Sequence, residues 1–291
     1  MDSNPVFARL ALIGVGYIGG SAALAARRAG LVGSVIGFDV DPRTGPQAVA
    51  TGVVDQMADS AESAADGASL ILLAAPVRSL AGLVRRIADH VAPTATVIDV
   101  GSVKQAVVVD ADAALSGGRF VGCHPMAGAE HQGVGAADCK IFEGRVCFVC
   151  PTERTSDQAS KAATLFWRGL GCQVESIDPA LHDRLMAAVS HLPHVASFAL
   201  AASLADSLPL VESNALAGKP TTSLRDTIRI AASSPQVWRD ILLANREHLL
   251  PLVRDLEQQV HSIGAAMAAG DAPALEAALA FGQASRRRLV K

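Results

Sequence analysis

Residues 10–21 read LALIGVGYIGGS, an apolar run followed by a glycine-rich turn. The run predicts a strand, and the alanine-rich residues 22–29 predict a helix directly after the turn. In this setting Gly14 lets the chain turn sharply out of the strand, and Gly16 lets the backbone approach a pyrophosphate. Gly19 lets the helix pack closely on the sheet. The stretch therefore predicts a dinucleotide-binding turn, with an ordinary strand-to-helix turn as the alternative.

A carboxylate follows at the distance that this motif requires. The next apolar run, residues 34–38, ends at Asp39, twenty positions after Gly19. Asp39 can bond the adenosine ribose hydroxyls, while the phosphates lie on the helix N-terminus. Its charge would repel a ribose 2′-phosphate, although Arg43 stands nearby, so NAD is predicted in preference to NADP. The predicted cofactor contacts are Gly14, Gly16, Tyr17, Ile18, Gly19 and Asp39, with Ala75, Pro76 and Ser102 at later strand ends.

Length and composition limit the possible classes of protein. The 291 residues suffice for two domains, each with a core of its own, and the net charge of −3 offers no basic surface for nucleic acid. Arg286–Arg288 predict the solvated end of a helix. The first strand begins too early for a cleavable signal peptide, and no uncharged apolar run approaches a membrane span; Val195–Leu204 predict a buried helix at most.

Five cysteines without a repeated framework fit the reducing cytoplasm. Cys147 and Cys150 form a CxxC pattern inside a strand-like run, where residues three apart point to opposite faces. No second pair of ligands stands nearby. We therefore interpret them as structural cysteines and predict no metal site.

The order of apolar runs predicts the fold class. Six short runs alternate with helical stretches, which is typical of an α/β doubly wound, mainly parallel sheet with helices on both faces. After Ile177 the strand signals nearly vanish, so we predict a nucleotide-binding domain over 1–178 and an all-helical domain over 179–291. A helix is expected from Pro235 to about Gly264, bent at Pro251. The apolar helical domain predicts a homodimer.

Two sets of polar residues could carry chemistry. His124 follows a strand end, where a neutral imidazole could take a proton from a substrate hydroxyl, and Ser102 could hydrogen-bond the imidazole or that hydroxyl. His191 and His194 would share a helix face if Pro193 occupies a first turn. Arginines 225 and 229 are four apart and would share another, as a carboxylate clamp or as a solvated surface.

The chain resembles the prephenate dehydrogenase family, which includes arogenate and cyclohexadienyl dehydrogenases. The similar segments cover nearly its whole length, and their order and spacing are more specific than any one of them. They are GVGYIGGS at 14–21, AAPV at 74–77, DVGSVK at 99–104, VGCHPMAGAE at 121–130, SHLPH at 190–194 and RDTIRIAASSPQVWRDI at 225–241.

The resemblance implies a Rossmann-type domain, a helical dimerisation domain, and NAD-dependent oxidative decarboxylation of prephenate or arogenate in tyrosine biosynthesis. It implies that His124 is the base at the ring hydroxyl and that Ser102 is its hydrogen-bonding neighbour. It also implies that His194 and Arg229 contact substrate, with Arg229 on a carboxylate. Supporting or gating roles are implied for Glu130, His191, Arg225 and Asp226. His131 and Gln132 stand where relatives vary, which leaves prephenate and arogenate open.

Two other classes remain as alternatives. A hydroxyisobutyrate- or phosphogluconate-type dehydrogenase would use a lysine of the helical domain, where Lys219 is the only lysine between Ala180 and Val290. A non-catalytic NAD-sensing module would need the glycine turn, but it would not need His124 and Arg229 to meet in one cavity. The chain also ends too soon after the helical region for a fused regulatory domain, so feedback control is expected to act at the active site.

Overall fold

The computed structural model describes residues 5–128, 133–207 and 221–289. Its first part is an eight-stranded sheet. The strands are β1 Phe7–Ile13, β2 Val32–Phe38, β3 Gln56–Met57, β4 Leu70–Leu73, β5 Thr96–Asp99, β6 Phe120–Pro125, β7 Val146–Cys150 and β8 Gln173–Ser176. The helices between them are α1 Tyr17–Arg28, α2 Thr44–Ala50, α3 Ala61–Ala65, α4 Val77–Ile87, α5 Gln105–Ala114 and α6 Asp157–Gly169.

The sheet is doubly wound around its first strand. Its strand order is β3-β2-β1-β4-β5-β6-β7-β8, and every pair is parallel except β6 with β7. Alternate residues of β1 face opposite cores: Leu10 and Leu12 belong to one hydrophobic cluster, Ala11 and Ile13 to the other. The predicted fold class is therefore confirmed. In such sheets ligands bind beyond the carboxyl ends of the strands, where the chain leaves β1 and β4 in opposite directions.

Two strands had no recognisable pattern in the sequence. Strand β3 is two residues long, and β8 is exposed at three of its four positions. Neither carries an apolar run, because a short or edge strand has little side-chain surface to bury. Backbone pairing with β2 and β7 holds these segments in the sheet.

Helices alone follow β8 in the described residues. They are α7 Pro179–Met186, α8 Leu192–Ser207, α9 Thr222–Ile228, α10 Pro235–Ala244, α11 Arg246–Ala269 and α12 Ala272–Leu289. A π-helical turn over Ala187–His191 joins α7 to α8. Pro193 therefore lies in a continuing helix, not at an independent start. A wide turn just before a proline fits the proline's lack of a backbone N–H donor.

The single helix expected from Pro235 to Gly264 is two helices. The break falls at Asn245, whose φ of −107° and ψ of 21° are not helical, and Pro251 lies inside the second helix. Pro251 has no N–H to donate, so the carbonyl oxygen of Glu247 has no i+4 backbone donor in this helix. The second helix also runs beyond Gly264 to Ala269 and ends at the left-handed Gly270.

Within one chain, the described residues of the helical region do not form a hydrophobic core of their own. Among the described residues Ile241 is its only member of either hydrophobic cluster, and it packs against the sheet domain. The chain is long enough for a second core, but the described residues of a single chain do not form one. Many large apolar side chains of the region are exposed instead, among them Leu200, Leu243, Leu250, Val260, Met267, Leu279 and Phe281.

One helical segment differs from the expectation about membrane spans. Over Pro179–Ala205 the chain has an 18-residue window of mean hydropathy 1.4, long and apolar enough to cross a membrane by length and composition alone. Only 22% of that window is buried, so Val195–Leu204 is not the buried helix that was predicted. A single such helix is weak evidence, since helices of soluble proteins pass the same test.

The five cysteines are free thiols. Cys147 and Cys150 lie in β7, as predicted, and both are buried. Burial, followed by the neighbouring thiol of Cys172, raises the pKa of Cys147 well above its usual range. In the described residues no group of three or more His, Cys, Asp or Glu side chains is arranged to hold a metal ion.

Candidate active site

The glycine turn after β1 is shaped by contacts that leave no room for side chains. Gly14 has a φ of +96°, and a Cβ there would lie 2.5 Å from the carbonyl oxygen of Ala74. A Cβ on Gly19 would lie 2.4 Å from the carbonyl oxygen of Gly14. At Gly16, by contrast, a Cβ would meet nothing within 4 Å, and no side chain caps the N-terminus of α1. This open space at a helix N-terminus fits a pyrophosphate group.

Asp39 lies at the end of β2 and holds the glycine turn in place. Its Oδ2 accepts a hydrogen bond of 2.8 Å from the N–H of Val15, and its Oδ1 accepts one of 2.9 Å from Asp41. Arg43, the cation that could favour a 2′-phosphate, is bonded through Nε and Nη2 to the Asp41 carboxylate. That pairing lowers the pKa of Asp41 to about 2. The local charges therefore favour a ribose with a free 2′-hydroxyl.

A cavity of about 430 Å³ opens above the glycine turn. Its lining combines the turn with the ends of β4 and β5 and with residues of the helical region. The predicted contacts Gly16, Tyr17, Ile18, Ala75, Pro76 and Ser102 all lie in this lining. Gly14, Gly19 and Asp39 are not among the lining residues, but they shape the turn that forms part of the wall. The residues present thus fit a dinucleotide, whose nicotinamide would point toward the helical region.

A second cavity of about 570 Å³ adjoins the first. The predicted residues His124, His194 and Arg229 all line it, although one belongs to the sheet and two to the helical region. The two cavities share one wall, formed by Ala127, Gly128, Ser233 and Trp238. A ligand in the second cavity would therefore lie beside the inner end of a dinucleotide in the first.

Among the described residues of the sheet domain, His124 is the one titratable side chain in this second lining. It is the penultimate residue of β6 and is 8% exposed. Its Nδ1 is hydrogen-bonded to Nε2 of His182 at 2.9 Å, which leaves its own Nε2 for the cavity. Burial, followed by the neighbouring His182 and Lys104, lowers the pKa of His124 well below its ordinary value. The imidazole is consequently neutral near pH 7 and able to accept a proton.

The partner of His124 differs from the one that the family resemblance implies. Ser102 lines the nucleotide cavity, and in the described structure its hydroxyl makes no hydrogen bond with the imidazole. The bond to His182 joins residues 58 positions apart. Sequence reasoning missed His182 and the adjacent Asp183, because a His-Asp pair early in an apolar helix also fits an ordinary surface-facing turn.

The two histidines of the SHLPH segment both contact Trp238, so they do share a face. The ring of His194 stacks on the indole at a centroid distance of 3.5 Å, and His191 meets it edge-on at 5.9 Å. His194 donates from Nδ1 to the carbonyl oxygen of Ser190 at 2.9 Å. Burial lowers the pKa of His194, and the neighbouring Arg229 acts in the same direction. Because Nδ1 is engaged with Ser190, Nε2 is the ring nitrogen left to accept a hydrogen bond from a ligand in the cavity.

His191 lies behind the cavity wall. It is fully buried, its Nδ1 is 3.0 Å from the side-chain nitrogen of Asn245, and its Nε2 has no hydrogen-bond partner in the described structure. Burial lowers the pKa of His191 to about 4. This residue lines neither cavity and therefore supports the wall from outside.

Other predicted residues are not brought to the cavities. Arg225 and Asp226 are exposed on α9 and line neither one, whereas Arg229 reaches the second cavity from a 3-10 turn between half-buried isoleucines. Glu130, His131, Gln132 and Lys219 lie outside the described residues. The fully buried Lys104 is bonded to Asp99 and to the carbonyl oxygen of Cys123, so it holds the ends of β5 and β6 together.

A nucleotide cavity and a neutral imidazole thus lie on either side of one shared wall, which is what hydride transfer with assisted proton removal requires. These features define the chain as a two-domain, dinucleotide-dependent dehydrogenase.

Comparison with known proteins gives the family. The model for the prephenate dehydrogenase nucleotide-binding domain matches residues 22–176, and that for the prephenate dehydrogenase dimerization domain matches 178–281. The prephenate dehydrogenase of Bacillus subtilis is 36% identical over 244 residues, 82% of this chain and 64% of its own length. The cyclohexadienyl dehydrogenase of Zymomonas mobilis is 30% identical over 271 residues, 91% of this chain and 90% of its own.

A solved structure agrees with these relatives. The prephenate dehydrogenase of Aquifex aeolicus, in complex with hydroxyphenyl propionate and NAD+, superposes with a TM-score of 0.86 at 32% identity, covering 97% of this chain and 98% of that one. The chain belongs to the prephenate dehydrogenase family.

Proposed function

We propose that the protein catalyses the NAD-dependent oxidative decarboxylation of prephenate, and of arogenate where its pocket admits the amino acid. The observation that carries this proposal is the shared wall: His124, His194 and Arg229 line a cavity that adjoins the nucleotide cavity. The family and the NAD+ complex of the Aquifex relative support both the reaction and the cofactor.

His124 acts on the ring hydroxyl of the substrate. A bound NAD would supply the hydride acceptor for the ring carbon that bears this hydroxyl. Nε2 of His124 takes the hydroxyl proton as positive charge builds on that carbon. Loss of carbon dioxide then makes the ring aromatic and leaves a phenolate oxygen, to which the imidazolium returns the proton. The overall reaction neither consumes nor releases a proton, so the imidazole stores one only during the turnover.

Arg229 and His194 orient the substrate from the helical region. Prephenate carries two carboxylates, and a guanidinium binds a carboxylate through two parallel hydrogen bonds. Arg229 supplies this contact, and the cavity-facing Nε2 of His194 accepts a hydrogen bond from a substrate donor. Ser102 lines the nucleotide cavity, where its hydroxyl would contact the nicotinamide portion of a bound cofactor or the substrate hydroxyl beside it.

One spectrophotometric experiment tests the reaction. Purified protein is assayed for reduction of NAD and of NADP with prephenate, with arogenate and with 3-hydroxyisobutyrate. We expect NAD reduction with prephenate or arogenate and the corresponding aromatic product. Turnover of the hydroxy acid alone would favour the hydroxyisobutyrate-type alternative. NAD binding without turnover of any substrate would favour the sensing module.

We also propose that the helical region forms a homodimer in the cytoplasm. The support is the name of the matching family model, together with the exposed apolar side chains of α10, α11 and α12. Covering those side chains with a second copy would supply the core that the region lacks within one chain. The five free thiols suit a reducing compartment.

A further inference from the structure

A chain of three buried side chains begins at His124 and leads away from the substrate cavity. His124 Nδ1 lies 2.9 Å from His182 Nε2, and His182 Nδ1 lies 2.8 Å from Asp183 Oδ1. His182 is completely buried and Asp183 is 2% exposed. Neither of them lines the nucleotide cavity or the substrate cavity. Any effect of these two residues on the reaction must therefore pass through His124.

The chemistry of the groups determines where each proton lies. A carboxylate only accepts hydrogen bonds, so His182 must carry its proton on Nδ1, facing Asp183. The Nε2 of a neutral His182 is then an acceptor. His124 must consequently carry its own proton on Nδ1, and its Nε2 is left with a free lone pair toward the cavity. That is the tautomer that a base acting on the substrate hydroxyl needs.

Asp183 is held by two backbone N–H groups of the sheet domain and by one side chain of the helical region. Its Oδ1 accepts a hydrogen bond of 2.7 Å from the N–H of Lys104, and its Oδ2 accepts one of 2.9 Å from Gln105, at the N-terminus of α5. Its carbonyl oxygen accepts a bond of 2.8 Å from the side chain of Asn245. The carboxylate therefore cannot rotate without breaking the cap of a helix, and its orientation is passed on to His182.

We propose that His182 and Asp183 are positioning residues that fix the tautomer of His124 and stabilise its protonated form during each turnover. This proposal rests on the proposed function, in which His124 stores a proton between hydride transfer and decarboxylation. The imidazolium would otherwise stand in a buried site near the ammonium group of Lys104, whose charge is offset by Asp99. Through the neutral ring of His182, the positive charge interacts with the Asp183 carboxylate instead.

Kinetics of three variants test the proposal. His182→Leu removes the acceptor, His182→Gln retains a carbonyl oxygen that can accept from His124, and Asp183→Asn replaces the carboxylate. We expect kcat to fall by about a hundredfold in His182→Leu and Asp183→Asn and by less in His182→Gln, as for loss of general-base function. The KM values for prephenate and NAD should change less than about threefold, because the cavities are untouched.

Matched controls separate this effect from general damage. His90→Leu removes an exposed histidine that is hydrogen-bonded to Asp66. Asp178→Asn alters the carboxylate that caps α7 by accepting a hydrogen bond from the N–H of Leu181. Both should retain the kcat of the wild type. Thermal unfolding and NAD titration report whether each variant is folded.

The tautomer can be measured directly, without turnover. In protein labelled with [15N]histidine, long-range proton–nitrogen NMR spectra distinguish a protonated from an unprotonated ring nitrogen, and His124→Asn identifies the signals of residue 124. We expect the wild type to carry the His124 proton on Nδ1, and His182→Leu to lose this preference. A proton on Nε2 in the wild type would overturn the proposal.

The outcomes distinguish the two proposals. A wild type that turns over neither prephenate nor arogenate would overturn the proposed function and, with it, the catalytic role of His182 and Asp183. An active wild type with unchanged kcat in folded His182→Leu would overturn only the positioning role. If the leucine variant does not fold, an unchanged kcat in folded His182→Gln and Asp183→Asn would do the same.

Discussion

At the scale of single residues, the site depends on the protonation of one histidine and on the position of one arginine. The neutral ring of His124 and the guanidinium of Arg229 come from different domains, 105 positions apart in the sequence, and meet in one cavity. The sequence alone suggests that each of these two side chains could act on a substrate. Their proximity, however, depends on how the helical region packs against the sheet.

The depressed pKa of His124 predicts the pH dependence of catalysis. Burial disfavours the charged ring, so the base stays deprotonated until the pH falls well below its ordinary value of about 6.5. We therefore expect the acidic limb of kcat/KM to lie below pH 6.5. His124→Asn should lose this limb and about a hundredfold or more of kcat, with NAD affinity preserved. A wild-type limb above pH 7 would contradict the buried, neutral base.

Arg229 predicts a defect in substrate binding. Removing a charge-assisted, two-pronged contact should weaken prephenate binding in Arg229→Ala by about 2 to 4 kcal/mol. Arg229→Lys should recover only part, because an ammonium group lacks the planar fork. Arg225→Ala, four residues away and outside both cavities, should change the KM for prephenate less than about threefold. Equal effects of the two alanine variants would mean that Arg229 has no special role.

At the scale of elements, the turn between β1 and α1 combines two separate demands on glycine. Gly14 needs both a positive φ and empty space, whereas Gly30, just beyond the other end of α1, has a φ of +66° with nothing within 4 Å of a Cβ.

This difference predicts unequal effects of the same substitution. Gly30→Ala should lower the unfolding free energy by about 1 kcal/mol, which is the cost of a left-handed backbone conformation for a residue with a Cβ. Gly14→Ala adds a clash with the backbone of Ala74, and it should lower the unfolding free energy by about 2 kcal/mol or more and weaken NAD binding. Chemical denaturation and NAD titration measure both quantities. Similar losses in the two variants would mean that the close approach to Ala74 is not a constraint.

The helices and strands also show which features could be predicted from sequence patterns. Buried strands such as β4 are continuous apolar runs, and the glycine turn has a fixed spacing, so both were predictable. The break at Asn245 was not, because it depends on side-chain bonds to Asp183 and His191. The link from His124 to His182 was missed for the same reason: it is a tertiary contact between residues that have no pattern in common.

At the scale of the whole molecule, the helical region exposes apolar surface that a second copy would cover. We expect light scattering to give a mass of twice 29.9 kDa and the unfolding temperature to rise with protein concentration. Phe281→Glu, at a side chain 61% exposed on α12, should weaken the dimer. Val109→Glu, on an equally exposed valine of the sheet domain, should not. A wild type that stays monomeric at all concentrations would contradict the dimer.

The stacking of Trp238 on His194 has an optical consequence. The chain has two tryptophans, and Trp167 is fully buried against Phe142 and Phe166, away from both cavities. Trp238 stands in the wall between the cavities and touches an imidazole that a substrate would engage. Its emission should therefore respond to each ligand in turn while that of Trp167 stays constant. The protein thus carries its own fluorescent reporter of the order in which cofactor and substrate arrive.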